Sequence, residues 1–104
     1  MPASEWLLIV DVEVEPEVEN EWNRWYDQVH LPEILGCPGF VQGARYAYET
    51  GESVRRYVTI YDITGPDAVA GDEFTSRRGW DGFSDSVRFT SRLYKRRTVQ
   101  ESKS

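Results

Sequence analysis

Residues 5–14, Glu-Trp-Leu-Leu-Ile-Val-Asp-Val-Glu-Val, alternate in polarity and are also apolar on both parities. Trp6, Leu8, Val10, Val12 and Val14 fall on one side, and Leu7 and Ile9 on the other. That pattern predicts a central strand with both faces at least partly covered. Pro16 then stands where a first helical residue would, with Glu15, Glu17 and Glu19 complementing a helix N-terminus. The spacing predicts a helix to about Leu31, bent by Pro32 and ended by Gly36-Cys37-Pro38-Gly39. At about 100° per residue, Val18, Trp22, Trp25 and Val29 form an apolar stripe, expected to be buried against a sheet. Tyr26 and His30, spaced i,i+4, share the flank of that stripe, and Asp27 lies one turn before His30.

A second strand is predicted from Phe40 to Tyr48, with Phe40, Gln42, Ala44, Tyr46 and Tyr48 opposed to Val41, Gly43, Arg45 and Ala47. Thr50-Gly51-Glu52 reads as a hairpin loop. A third strand follows from Arg55 to Ile63, with Tyr57, Thr59, Tyr61 and Ile63 opposed to Val58 and Ile60. Gly65-Pro66-Asp67 opens a poorer helix, broken near Gly71 and again near Gly79. A fourth strand is predicted from Ser86 to Val99, and residues 100–104 form a polar tail. The order β-α-β-β-α-β is the ferredoxin-like plan, an α+β fold with a four-stranded antiparallel sheet and two helices on one face. Two helices cover only one face, yet the first and third strands are apolar or aromatic on both. Pairing with the same face of a second copy resolves this, so the expected assembly is a homodimer of 104-residue single domains.

Composition narrows the picture. The net charge is −6, which argues against nucleic-acid binding. It is uneven: residues 1–33 hold nine acids and one base, whereas residues 77–97 hold seven bases and two acids. The two ends are expected to neutralise each other across a fold or a subunit interface. No stretch is long enough to span a membrane, and the run Trp6–Val10 reads as a strand, not a signal peptide. The single cysteine, Cys37, excludes an internal disulfide, fits a cytoplasmic location, and reads as structural or incidental.

His30, the only histidine, is the one group suited to proton transfer near neutral pH. It reads either as a hydrogen-bonded structural group or as a general acid or base at the rim of a pocket between helix and sheet. Asp27 is placed to orient it. Tyr26 is a half-buried core aromatic or a donor to a substrate oxygen. Trp22, Tyr46, Tyr57 and Tyr61 are candidates to wall an aromatic ligand, and Arg45 to hold an oxyanion. Trp80 and Phe83, within Gly79-Trp80-Asp81-Gly82-Phe83, form a mobile cover or plug a core edge. One histidine and one cysteine outside metal-ligand spacing leave no zinc site, and no phosphate loop, dinucleotide fingerprint or nucleophile elbow is present.

The run from Glu21 to Phe40, with Trp22, Trp25, Tyr26, Asp27, His30, Pro32 and the Pro38-Gly39 turn, resembles the dimeric α/β-barrel superfamily, as do Ala44-Arg45-Tyr46 and Tyr57–Ile63. The likeness is to its small EthD-like members and covers about residues 5–99. It implies the two-fold barrel, and His30 matches the histidine of the family's helix motif. It implies function loosely, because the superfamily holds cofactor-independent monooxygenases, cyclases, dehydratases, isomerases and proteins of no known reaction. The resulting expectation is cofactor-independent acid/base chemistry of lyase, cyclase or isomerase type on a small aromatic or polyketide-like molecule. A cofactor-free monooxygenase and a non-catalytic ligand-binding or accessory protein are the alternatives. His30, Tyr26 and Asp27 would carry the chemistry, with no cofactor and no metal.

Overall fold

The computed structural model describes residues 4–48 and 55–103; the Thr50-Gly51-Glu52 hairpin lies outside them. Strands β1 (Trp6–Val14), β2 (Phe40–Ala47), β3 (Arg55–Ile63) and β4 (Val87–Lys95) form one sheet in the order β2-β3-β1-β4. Every neighbouring pair is antiparallel. This is the ferredoxin-like α+β topology. Strand β1 is central because its side chains are apolar on both faces. Leu8, Val10, Val12 and Val14 are buried under the helices, while Leu7 and Ile9 on the other face are half-buried. Register sets Tyr61, Thr59 and Tyr57 of β3 beside Leu8, Val10 and Val12, so these six share the helix-covered face.

The first helical segment is one rod of four pieces: a 3-10 turn (Pro16–Val18), α1 (Glu19–Trp25), a π-helical turn (Tyr26–His30) and α2 (Leu31–Leu35). It runs past the expected end at Leu31. Pro32 has no N–H to donate, and its ring would crowd the carbonyl four residues back. The π turn ahead of it absorbs this conflict: the Leu31 N–H reaches the Tyr26 carbonyl, five residues back. The second helical region is two short pieces, α3 (Asp67–Ala70) and α4 (Asp72–Arg77), separated at the expected break, Gly71. Strand β4 is shorter than the sequence suggests. Its pairing ends with Lys95 opposite Trp6, where β1 begins, and one further bond, from the Arg96 N–H to the Glu5 carbonyl at 2.6 Å, follows it.

Strand β2 carries a correction. Phe40 pairs with Ile63 and Gln42 with Asp62, leaving Val41 as an extra residue in a bulge. The bulge moves Phe40 onto the face of Gly43, Arg45 and Ala47, under the helices. Gln42, Ala44 and Tyr46 point to the other face. Two glycines are required here. Gly39 has φ 88°, and a Cβ on it would lie 2.7 Å from the Ala68 Cβ. At Gly43 a Cβ would meet the Tyr61 ring at 3.0 Å and Leu31 at 3.1 Å, so its absence lets the rod approach the sheet.

Candidate active site

The rod buries Trp22, Tyr26, His30 and Ile34, each four residues after the last. In a regular α-helix, positions four apart rotate by about 40°, so these would spread over about 120°. The π turn cancels much of that drift and holds all of them toward the sheet. The expected stripe is therefore rotated. Trp22 is enclosed, Val18 and Trp25 are half-buried, and Val29 is exposed. Tyr26 and His30 lie in the buried face itself, not on its flank.

Tyr26 meets the sheet through its hydroxyl. The Thr59 hydroxyl donates to the Tyr26 oxygen at 2.9 Å, and the Tyr26 and Tyr61 hydroxyls lie 3.1 Å apart. All three residues are at most 2% exposed. Burial pushes the Tyr26 and Tyr61 phenols above their ordinary range, so both stay protonated at neutral pH. Each such bond contributes about 1 kcal/mol, and an unpaired buried hydroxyl costs more than that.

His30 is 4% exposed and walled by rings. It stacks on Trp25, with centroids 4.7 Å apart, and meets Tyr26 edge-on at 4.8 Å. No hydrogen bond of its imidazole is found among the described residues. Burial, with a smaller contribution from the Arg45 charge, lowers its pKa to about 4, so the ring is neutral at pH 7.

Asp27 does not orient His30. Its carboxylate accepts a hydrogen bond from Arg45 at 2.6 Å on the protein surface. The wide π turn separates positions 27 and 30 further than an α turn would. Arg45 is engaged outside the cavity described below through its two terminal nitrogens, while its Nε is buried without a hydrogen-bond partner among the described residues. Its second terminal nitrogen donates to the Asn23 side chain at 2.8 Å, and its guanidinium lies 4.2 Å from the Tyr26 ring centroid and 5.0 Å from that of Trp22. Tyr57 is likewise occupied: its hydroxyl donates to Glu19 and accepts from Asn23 at 2.9 Å. This polar seam ties the rod to β2 and β3. Asn23 was not singled out in the sequence, although Asn23 and Asp27, four apart, mark the seam's flank of the helix.

A cavity of about 50 Å³ lies between rod and sheet. Tyr26, His30, Tyr61 and Trp80 line it, together with Ile34, Phe74 and Phe89, and with Arg78 and Ser91 at its edge. Its size suits water and not an aromatic ring. Thus four of the expected site residues converge. Trp22 packs behind Tyr26, edge to face at 5.4 Å, and Phe83 packs on Trp25 at 5.5 Å. Tyr46 is 55% exposed on the opposite face, sent there by the Val41 bulge. Ile34, Thr59, Phe74, Arg78 and Ser91 were missed; Ile34 had a visible signal in its place four residues after His30, and Thr59 in its place between Tyr57 and Tyr61 on one strand face. A larger hollow of about 470 Å³ around Arg56, Tyr57 and Val58 contains neither His30 nor the hydroxyl cluster. Cys37 is buried, with its thiol 3.6 Å from the Glu33 carbonyl, and burial pushes its pKa up. Among the described residues, no group of three or more His, Cys, Asp or Glu side chains is placed to hold a metal ion.

Fold and site together define a ferredoxin-like α+β protein with a histidine and paired phenols enclosed between rod and sheet. The chain belongs to the family described as a domain of unknown function, DUF4286, which matches residues 5–99. No curated relative matches it by sequence. Among solved structures, it is similar to an ethyl tert-butyl ether D (EthD) family protein from Bacillus halodurans, with TM-score 0.65, 12% identity, and coverage of 88% of this chain and 99% of that one. It is also similar to a variant of SnoaB, described as a cofactor-independent oxygenase, from Streptomyces nogalater. There the TM-score is 0.68 and the identity 17%, covering 94% of this chain and 99% of that one. A Bacillus cereus protein provisionally named an antibiotic biosynthesis monooxygenase gives TM-score 0.67 at 10% identity, covering 95% and 98% of the two chains. At these identities the likeness establishes the fold.

Proposed function

We propose that this protein is a cofactor-independent enzyme that removes a proton from a small aromatic or polyketide-like substrate. The observation that carries the proposal is one cavity shared by a neutral imidazole, His30, and a protonated hydroxyl pair, Tyr26 and Tyr61. His30 accepts the proton from a substrate O–H or activated C–H. One phenolic proton bridges Tyr26 and Tyr61, and the other is donated to the oxyanion that develops, with Thr59 fixing the orientation of Tyr26. Water-poor surroundings strengthen both interactions. A base of such low intrinsic pKa works here because the new anion stabilises the imidazolium beside it. Return of the proton to another atom gives lyase, cyclase or isomerase chemistry. The likeness to SnoaB favours a second reading, in which the anion reacts with dioxygen.

The test is incubation with hydroxylated naphthalenes and 1,3-diketones, in air and under argon, with products followed by mass spectrometry and oxygen by electrode. The expected result is conversion in both atmospheres. Conversion only in air, with stoichiometric oxygen uptake, replaces the first reading with the second. Failure to convert any member while binding it refutes both and leaves a ligand-binding protein.

The functional unit in this reading is a homodimer. The sheet face away from the rod carries Leu7, Ile9, Val58 and Ile60, all half-buried, and the exposed Tyr46 and Tyr94. A second copy of that face covers it. Sedimentation at micromolar concentration is expected to report twice the 12.1 kDa chain mass; a folded monomer would contradict it. No helix among the described residues is long and apolar enough to cross a membrane. The buried, unpaired thiol of Cys37 suits a reducing cytoplasm.

A further inference from the structure

Trp80 lines the cavity without a polar contact to hold it. Its ring centroid lies 5.6 Å from that of His30, 5.9 Å from Tyr26 and 5.1 Å from Phe89. The residue is 7% exposed, yet its indole N–H is buried with no hydrogen-bond partner among the described residues. Buried tryptophans usually find such a partner, so this position is less stable than its ring contacts alone would make it; the Trp22 N–H is unpartnered too, but Trp22 is held in the rod. The backbone around it passes from an open loop into a 3-10 turn, Asp81–Ser86, with space on its outer side. A Cβ placed on Gly79 or Gly82 would meet nothing within 4 Å. Asp81, between them, has φ 53°, a left-handed conformation that aspartate adopts more readily than most residues with a side chain. The segment's own hydrogen bonds include local ones, Phe83 N–H to the Trp80 carbonyl at 3.0 Å and the Ser84 hydroxyl to the Asp81 carbonyl at 3.3 Å.

Phe89 and Ser91 of the edge strand β4 and Arg78, just past α4, form the exposed side of the cavity, and its inner walls are fixed. Tyr26, His30 and Ile34 are on the rod, and Tyr61 is on an inner strand. A cavity of about 50 Å³ is well below the several hundred Å³ typical of small-molecule sites. We propose that Trp80 is the gate and the size-setting residue of this site: its indole swings out, and a flat aromatic of about two fused rings takes its place between His30 and Phe89. A hydroxyl on that ring then falls toward Tyr26 and Tyr61. This inference rests on the proposed function for its substrate class, but its test needs no turnover.

The probe is 2-naphthol, titrated calorimetrically into the full chain. Displacing the indole draws on part of the wild-type binding energy, and Trp80→Ala removes that requirement while opening the space. The variant is expected to bind 2-naphthol about tenfold or more tightly than wild type, with Trp80→Phe between the two. In wild type, saturating 2-naphthol is expected to shift the Trp80 indole N–H resonance, assigned by its loss in Trp80→Phe. Equal affinity of wild type and a folded Trp80→Ala, or binding to neither, overturns the gate. If Trp80→Ala does not fold, an unshifted Trp80 resonance at saturation overturns it instead. Tightened binding with no conversion of any substrate would leave the gate standing and remove the catalytic reading. Turnover with equal affinities would do the reverse.

Discussion

His30→Phe is expected to lower turnover by about 10²–10⁴-fold, the usual contribution of a positioned acid or base. Phenylalanine keeps the stack on Trp25 and the edge contact with Tyr26 but cannot take a proton. Alanine would confuse the outcome, because a ring 4% exposed cannot be removed without leaving a cavity. A second readout separates the roles. The folded-state pKa of about 4 lies below the 6.5 of an unfolded histidine. The unfolded chain therefore binds the proton first as pH falls. Stability from keeping His30 neutral is fully present above about pH 6.5 and is lost as pH falls toward 4, for a total of about 3 kcal/mol. Denaturation at pH 7, 5.5 and 4 is expected to show that loss in wild type, superimposed on the carboxylates, and a smaller loss in His30→Phe. An acid limb of kcat/KM near pH 6.5 would show instead that His30 faces water in the working enzyme.

Much of the site was legible because alternation and spacing carry direction. The ferredoxin-like plan followed from the β-α-β-β-α-β element order, and alternation along β3 put Tyr57, Thr59 and Tyr61 on one side. The rod's true face was also written in the chain, as Trp22, Tyr26, His30 and Ile34 at intervals of four. Reading it at α-helical pitch turned it by part of a revolution and assigned the burial to Val29. The cause, Pro32 acting through a π turn, is a backbone conflict that side-chain periodicity does not display. The Val41 bulge is similar: one extra residue reverses a strand's parity, which sent Tyr46 to the wrong face and hid the seat of Phe40. Asp27 and Arg45 were read as separate functional candidates because each has a polar tip. Their mutual ion pair depends on β2 lying beside the rod, which is tertiary information.

The rotated face makes a quantitative distinction between two tryptophans three residues apart. Trp22→Ala is expected to cost about 3–5 kcal/mol, the range for deleting a fully enclosed aromatic core side chain. Trp22 is 0% exposed and packs on Tyr26, Tyr57 and Trp80, so little of the space it leaves can be refilled. It also supports the guanidinium of Arg45, so the seam from Asp27 to Asn23 loses its floor. Trp25→Ala is expected to cost about 1–2 kcal/mol, because part of the ring is already in water. Its removal uncovers His30, which should raise the histidine pKa back toward its ordinary value, as an NMR titration would show. Urea denaturation of both variants decides the matter. If Trp25→Ala costs as much as Trp22→Ala, the buried face is the Val18–Trp25–Val29 stripe after all, and His30 and Tyr26 return to its flank, outside the cavity on which the proposed chemistry depends.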